Sequence, residues 1–289
     1  MEKNKVEERE KVNRDKEEIH TKKKFTIFGI SIWRILAYFI IYSIAGYIIE
    51  TIFGLLTKGV IESRKSFLYG PFCSIYGVGA VIMIVSLQYF KKNNYTLFFG
   101  GFVVGSIVEY LVSLIGEFIF HVKWWDYSNE PFNINGRICV MFSLFWGVLA
   151  IYLMSHFNMK VDKLIDKIKE KVSSKILNSA VIIIVIFMFL DCVITGAALK
   201  MFFADLVHDY NLPVQNSEIY LKQYEEKEND EIQKKLRNKY FTNEKMIKTF
   251  PNLKIISKNG EIIFIRDVLK DIQPYYFKVF DKKINKSIT

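Results

Sequence analysis

The sequence predicts an all-α integral membrane protein of about five transmembrane helices, including two similar parallel helical hairpins, plus a small α+β carboxyl-terminal tail. Three observations predict it. Charges crowd into residues 1–34, 158–175 and 200–289 and leave long uncharged stretches between them. Five of those stretches are about as long as a membrane crossing requires, because roughly 20 helical residues at about 1.5 Å each span a hydrocarbon layer of roughly 30 Å. Finally, two of the apolar hairpins carry the same short motif in the same order.

Taken in order, residues 1–29 form a charged amino-terminal arm of mixed sign. The bundle occupies residues 30–200, with spans at Ile30–Leu56, Pro71–Phe90, Leu97–Phe120, Ile138–Phe157 and Ile176–Leu199. The first run follows some thirty largely charged residues, exceeds the length of a leader's apolar region, and has no small-residue cleavage site after it, so it is read as a span. Gly70-Pro71 reads as the entry to the second helix, since proline is tolerated in a first turn. Residues 160–175 place Val161, Leu164, Ile165, Ile168 and Val172 at helical spacing among lysines, which predicts an amphipathic helix on the inner membrane surface, drawn to anionic lipid. The tail, residues 201–289, offers a charged helix over Ser217–Tyr240 and a hairpin over Ile255–Ile265 about Asn259-Gly260. So little of this tail is apolar that it is expected to lean on the bundle or on a partner.

Lys and Arg counts orient the bundle. The arm through Arg34 carries ten, the Lys91–Lys92 turn two and residues 160–175 six, all on one side of a five-span protein, against five on the opposite loops 57–70 and 121–137. The positive-inside rule then puts the amino terminus in the cytoplasm and the tail outside. The net charge of +10 is explained by this flanking pattern, so no nucleic-acid partner is expected; the lipid bilayer is the partner instead. Three cysteines, Cys73, Cys139 and Cys192, imply no disulfide framework; they read as small buried hydrophobes, with a Cys73–Cys139 bridge as the alternative.

The repeat is short but in register. Gly46-Tyr-Ile-Ile-Glu50 in the first span matches Gly105-Ser-Ile-Val-Glu109 in the third, and each is followed by a loop and a Gly-x-x-Cys, at Gly70–Cys73 and Gly136–Cys139. Both hairpins run the same way, which makes this a parallel repeat of the kind some transporters use.

Candidate site residues follow from cost. Glu50, Glu109 and Asp191 lie inside separate apolar spans, where an acid at the bilayer centre costs about 2.5–3.5 kcal/mol, so they should face the bundle interior, one another or a cation. Glu117 follows Glu109 by two helical turns and shares its face. The loops at the same depth supply Arg64, Tyr69, Trp125, Asp126, Tyr127, Asn133 and Arg137. Arg64 and Arg137 are either structural counter-ions for buried acids or bidentate ligand contacts. Trp124, Trp125 and Tyr127 suit the headgroup level as anchors, His121 reads as an interface residue, and Asp126 either caps a turn or acts chemically. No phosphate-binding Gly-rich loop, no His-Glu-x-x-His and no Gly-x-Ser-x-Gly is present, so neither a cofactor nor a metal is expected and the chain carries no ATPase motif.

Phe67-Leu-Tyr-Gly-Pro-Phe-Cys73-Ser-Ile-Tyr-Gly77 and Trp125-Asp-Tyr-Ser128 through Pro131, Asn133 and Asn135-Gly136-Arg137-Ile-Cys139 carry a resemblance over residues 35–155. In these motifs the chain resembles the bacterial Putative ABC-transporter type IV family, with Ser74 standing where that family is expected to have proline. The resemblance implies a bacterial cytoplasmic-membrane protein that serves as the membrane subunit of a transport system, with a separate ATPase subunit as partner. The Glu-Ala-Ala loop of binding-protein-dependent importers is absent, and the polar residues gather on the outer side, away from any ATPase. Two other classes stay open: an intramembrane enzyme on a lipid-linked or envelope substrate, with Glu109 or Asp126 as general base and Arg137 on a phosphate, and a non-catalytic envelope or regulatory protein that presents its tail.

Overall fold

A computed structural model describes residues 26–90, 93–120, 125–214 and 217–280. The charged arm, the Lys91–Lys92 turn, His121 and Trp124 lie outside the described residues.

Helix α1 (Ile32–Lys58) starts at Ser31, whose hydroxyl accepts from the Arg34 N–H, and stops at Gly59. At 27 residues it is about 40 Å long, more than a bilayer needs. Residues 59–73, which include a short strand, lead to α2 (Ser74–Leu87), then come α3 (Asn94–Phe120) and α4 (Val140–Tyr152). One π turn, Leu153–Phe157, joins α4 to α5 (Asn158–Lys171), and α6 (Ser174–Tyr210) follows from its Ser173 cap. Among the described residues, four helices are long and apolar enough to cross a membrane: Ile32–Lys58, Asn94–Phe118, Val140–Lys171 and Ser174–Tyr210. The fifth apolar helix, Ser74–Phe90, is shorter. Ile48, Ile52, Phe53, Ile183, Phe189 and many like them are exposed, as expected of side chains solvated by lipid rather than water.

Helix α1 packs on α2 and α3 on α4, the two most extensive helix pairings in the molecule, while α6 lies against α1 and α2 against α3. Both hairpins close through glycine. Gly77 lets α2 approach the Phe39 carbonyl and Ser43 of α1, and Gly147 lets α4 approach the Phe98 carbonyl of α3. The apolar interior between them includes Tyr38, Met83, Ile84, Leu87, Leu97, Ala150 and Met188.

Several elements differ from expectation, each for a visible reason. Pro71 is not in the first turn of α2: residues 66–73 form a tight loop in which Ser66 N–H donates to the Phe72 carbonyl and Cys73 N–H to the Ser43 carbonyl of α1. The charged helix over residues 160–175 is a continuation of α4 and ends at Lys171. It faces α1, with Arg34 paired to Asp166 and 3.6 Å from Asp162, which also takes the Tyr38 hydroxyl. Helix α6 runs eleven residues past the expected end of the last span because the tail covers its far end.

That tail is a compact layer. Helices α7 (Ser217–Glu228), α8 (Glu231–Tyr240) and α9 (Asn243–Thr249) are followed by two strands, Lys254–Ile256 and Ile262–Phe264, and by α10 (Ile265–Val268). The single charged helix expected over Ser217–Tyr240 breaks at Asp230, whose carboxylate caps α8 by accepting from Ile232 and Gln233 N–H. The Asn259-Gly260 hairpin is present, with Ile255 opposite Ile263. Met246, Ile247, Phe250, Leu253, Ile255 and Ile265 close over Phe202, Phe203 and Leu206 of α6 and Leu68 of the first loop. The tail therefore leans on the bundle, through α6 and the loop after α1. The strand Val60–Ile61 also pairs antiparallel with the strand Phe277–Lys278 of the tail.

Candidate functional site

Polar side chains of the second hairpin meet at one end of the bundle, the end that carries the tail. Glu109 is buried on α3 and accepts two bonds: the Tyr127 hydroxyl reaches Oε1 at 2.9 Å and the Trp146 indole N–H reaches Oε2 at 2.9 Å. Two turns further, Glu117 pairs with Arg137 Nη2 at 2.8 Å, and Arg137 Nη1 donates to Ser113 Oγ at 3.1 Å. The loop is held for this purpose by its own polar groups. Asp126 Oδ1 accepts from the Ser128 N–H and hydroxyl, Asn133 accepts from Gly136 N–H, and Trp125 donates its indole N–H to the Arg137 carbonyl. The Tyr127 ring stacks on Phe142 at 4.5 Å. Burial pushes the Tyr127 hydroxyl well above the ordinary tyrosine range, with Glu109 adding to the rise and Cys139 and Tyr76 contributing less.

The first hairpin repeats the core of this pattern. Tyr76 of α2 donates to Glu50 Oε1 at 2.7 Å, as Trp146 of α4 does to Glu109. In both copies the aromatic residue crosses the partner helix one turn before the acid: a Cβ on Gly46 would lie 2.4 Å from the Tyr76 Cβ, and one on Gly105 would lie 2.5 Å from the Trp146 Cβ. Gly70 and Gly136 both take positive φ, +70° and +65°, where glycine is least strained. Cys73 and Cys139, three residues later, are the N-caps of α2 and α4 and stand as free buried thiols rather than a bridge.

Charge pairing differs between the copies. Arg64 approaches Glu50 at 3.5 Å and Glu62 at 2.8 Å, and Glu62 also takes Lys58 Nζ at 2.8 Å and Asn252 Nδ2 at 3.1 Å. Burial alone would raise the Glu62 carboxyl, but Lys58, Arg64 and Asn252 outweigh it and hold it below its ordinary 4.5. Arg137 serves Glu117 and not Glu109. Asp191 belongs to neither cluster. It accepts the Tyr69 N–H at 3.0 Å while Thr195, one turn along α6, accepts the Leu68 N–H at 2.9 Å, so the pair pins the first loop to α6. Tyr69 itself faces the tail, 5.0 Å beneath Lys245.

Tyr76 and Trp146 are the site residues that motif reading misses. Each belongs to an aromatic-glycine pair, Tyr76-Gly77 and Trp146-Gly147, but the second lies one helical turn deeper after its cysteine, so a repeat search anchored on Gly-x-x-Cys does not align them. Glu62 and Asn252 are the others; Lys58 four residues before Glu62 is the one local signal.

Residues 37–196 match the family described as Putative ABC-transporter type IV. No curated protein and no solved structure matches the chain. The matched residues contain both hairpins, both acid clusters and most of α6, and with four membrane-length apolar helices they define a multi-pass membrane protein. The chain belongs to the Putative ABC-transporter type IV family.

Proposed function

We propose that the chain is the membrane subunit of a transport system and that its working site is the pair of acid clusters at the tail end of the bundle. The observation that carries this reading is the duplicated constellation of a glycine, an acid one turn later and an aromatic N–H or O–H donated to that acid from the facing helix. Two related half-sites on two similar hairpins suit alternate exposure of a substrate between hairpins. By the positive-inside rule the tail end is extracytoplasmic, the 1–29 arm is cytoplasmic, and the host membrane is a bacterial inner membrane. The lysine-rich α5 at the other end is then the surface available to a separate ATPase.

A catalytic reading has less to use. Asp126 is engaged in turning its own loop and Arg137 in pairing with Glu117.

The test is purification of the tagged chain from its own host in mild detergent, with mass spectrometry of what accompanies it. A stoichiometric ATPase, lost when Leu164 and Ile168 are changed to Asp, supports the permease reading. Recovery of the chain alone or with lipid only overturns it.

A further inference from the structure

The two half-sites share a buried acid and an aromatic donor from the facing helix, but they differ in charge pairing. At Glu50 a guanidinium is in place, Arg64 Nη1 lying 3.5 Å from the carboxylate that also takes the Tyr76 hydroxyl. At Glu109 the partners are neutral: Tyr127 O–H and Trp146 N–H. Among the described residues no Lys, Arg or His forms an ion pair with it, although only 6% of it is exposed. Its two hydrogen-bond donors are Trp146 on α4 and Tyr127 of the loop, and neither carries a positive charge. The arginine from the equivalent loop is held 2.8 Å from Glu117 instead.

A buried carboxylate with no cation near it is costly in a low dielectric, so an acid whose loop arginine pairs elsewhere favours a cation supplied from outside. The first copy shows which kind fits. We infer that Glu109, Tyr127 and Trp146 form a binding site for a guanidinium-type organic cation, with the ligand standing where Arg64 stands against Glu50. This rests on the transport reading and names the class of cargo.

The chemistry favours such a cation over a metal ion. Each carboxylate oxygen has lone-pair capacity beyond the one bond it accepts, and a planar guanidinium donates two parallel N–H bonds to a carboxylate. A guanidinium is also more weakly hydrated than an ammonium, so it loses less on leaving water. A hard metal ion needs six or more oxygen ligands, and the described residues hold no group of three or more His, Cys, Asp or Glu.

The experiment is calorimetric titration of the full chain in nanodiscs with methylguanidinium chloride, against sodium chloride at equal ionic strength. Saturable binding is expected in the wild type, weakened about tenfold or more by Glu109→Gln and by less in Tyr127→Phe, and left within about twofold by Glu50→Gln. Glu109→Asp, which keeps the charge but draws it back, should weaken binding with the fold intact. No saturable binding above the sodium control overturns the inference, as does equal weakening by Glu50→Gln. Lys123→Ala should leave the affinity as it was; a gain of about tenfold would mark Lys123 as the resident cation and also overturn it. Binding by a chain that leaves its own host with no ATPase attached would overturn the permease reading while leaving this site standing.

Discussion

Trp146 and Gly105 are locked together: the indole's Cβ lies where a side chain on Gly105 would have to begin, and the same indole donates to Glu109 one turn further along α3. Packing and polar chemistry are therefore fixed by one contact. Replacing Gly105 with Ala should force the helices apart and cost about 1–3 kcal/mol, as overpacked cores do. The check is a fall in the thermal midpoint in detergent, larger than that of Val103→Ala on the exposed side of α3.

Asp191 works by holding backbone, not by facing Glu50 or Glu109. Asp191→Ala should leave the Tyr69 N–H without its partner and cost about 1–3 kcal/mol. Asp191→Asn keeps one accepting oxygen and should cost less. Hydrogen exchange at Leu68 and Tyr69 should speed up in the alanine variant; unchanged exchange there would mean the loop is held by other contacts.

Glu62 predicts an acid limit for the docked tail. Its carboxyl is held below 4.5 in the fold, so the unfolded chain binds the proton more readily. The stabilisation is fully present above the unfolded value and is lost as pH falls through the lowered one. Proteolysis near the Phe277–Lys278 strand should therefore quicken as pH drops below about 4.5, and Glu62→Gln should flatten that dependence while weakening docking at neutral pH.

The tail is part of the core and not an appendage. Phe202, Phe203 and Leu206 are buried by it, so ending the chain after Tyr210 would expose them on the water side of the bundle. Truncation should lower the yield of monodisperse protein in detergent by several-fold, and Phe203→Asp in the full chain should do the same.

The membrane class, the hairpin repeat and the Asn259-Gly260 turn were legible because each is a local pattern: an uncharged run, a spaced pair of glycine and acid, a two-residue turn. What escaped depends on distance in sequence. Whether Arg137 would meet Glu109 or Glu117 is settled by where its loop delivers the guanidinium, and both acids lie on the same face of α3. The length of α6 escaped because its last three turns are covered by residues forty or more positions away, such as Phe250 and Ile265. Asn252 could not be read as a partner of Glu62 at all, since 190 positions separate them.

The single π turn at Leu153–Phe157 has a rotational consequence. It adds one residue to the winding between α4 and α5, which swings everything beyond it by about 100° around the helix axis. That phase brings Asp162 and Asp166 onto Arg34 and Tyr38 while Trp146, upstream, still points at Glu109. Removing Ser155 would restore regular winding and turn the acidic stripe away from α1, leaving Arg34 without its acids at one end and Glu109 untouched at the other. The two ends of this one continuous helix are thus set independently, by a helical phase shift midway along it.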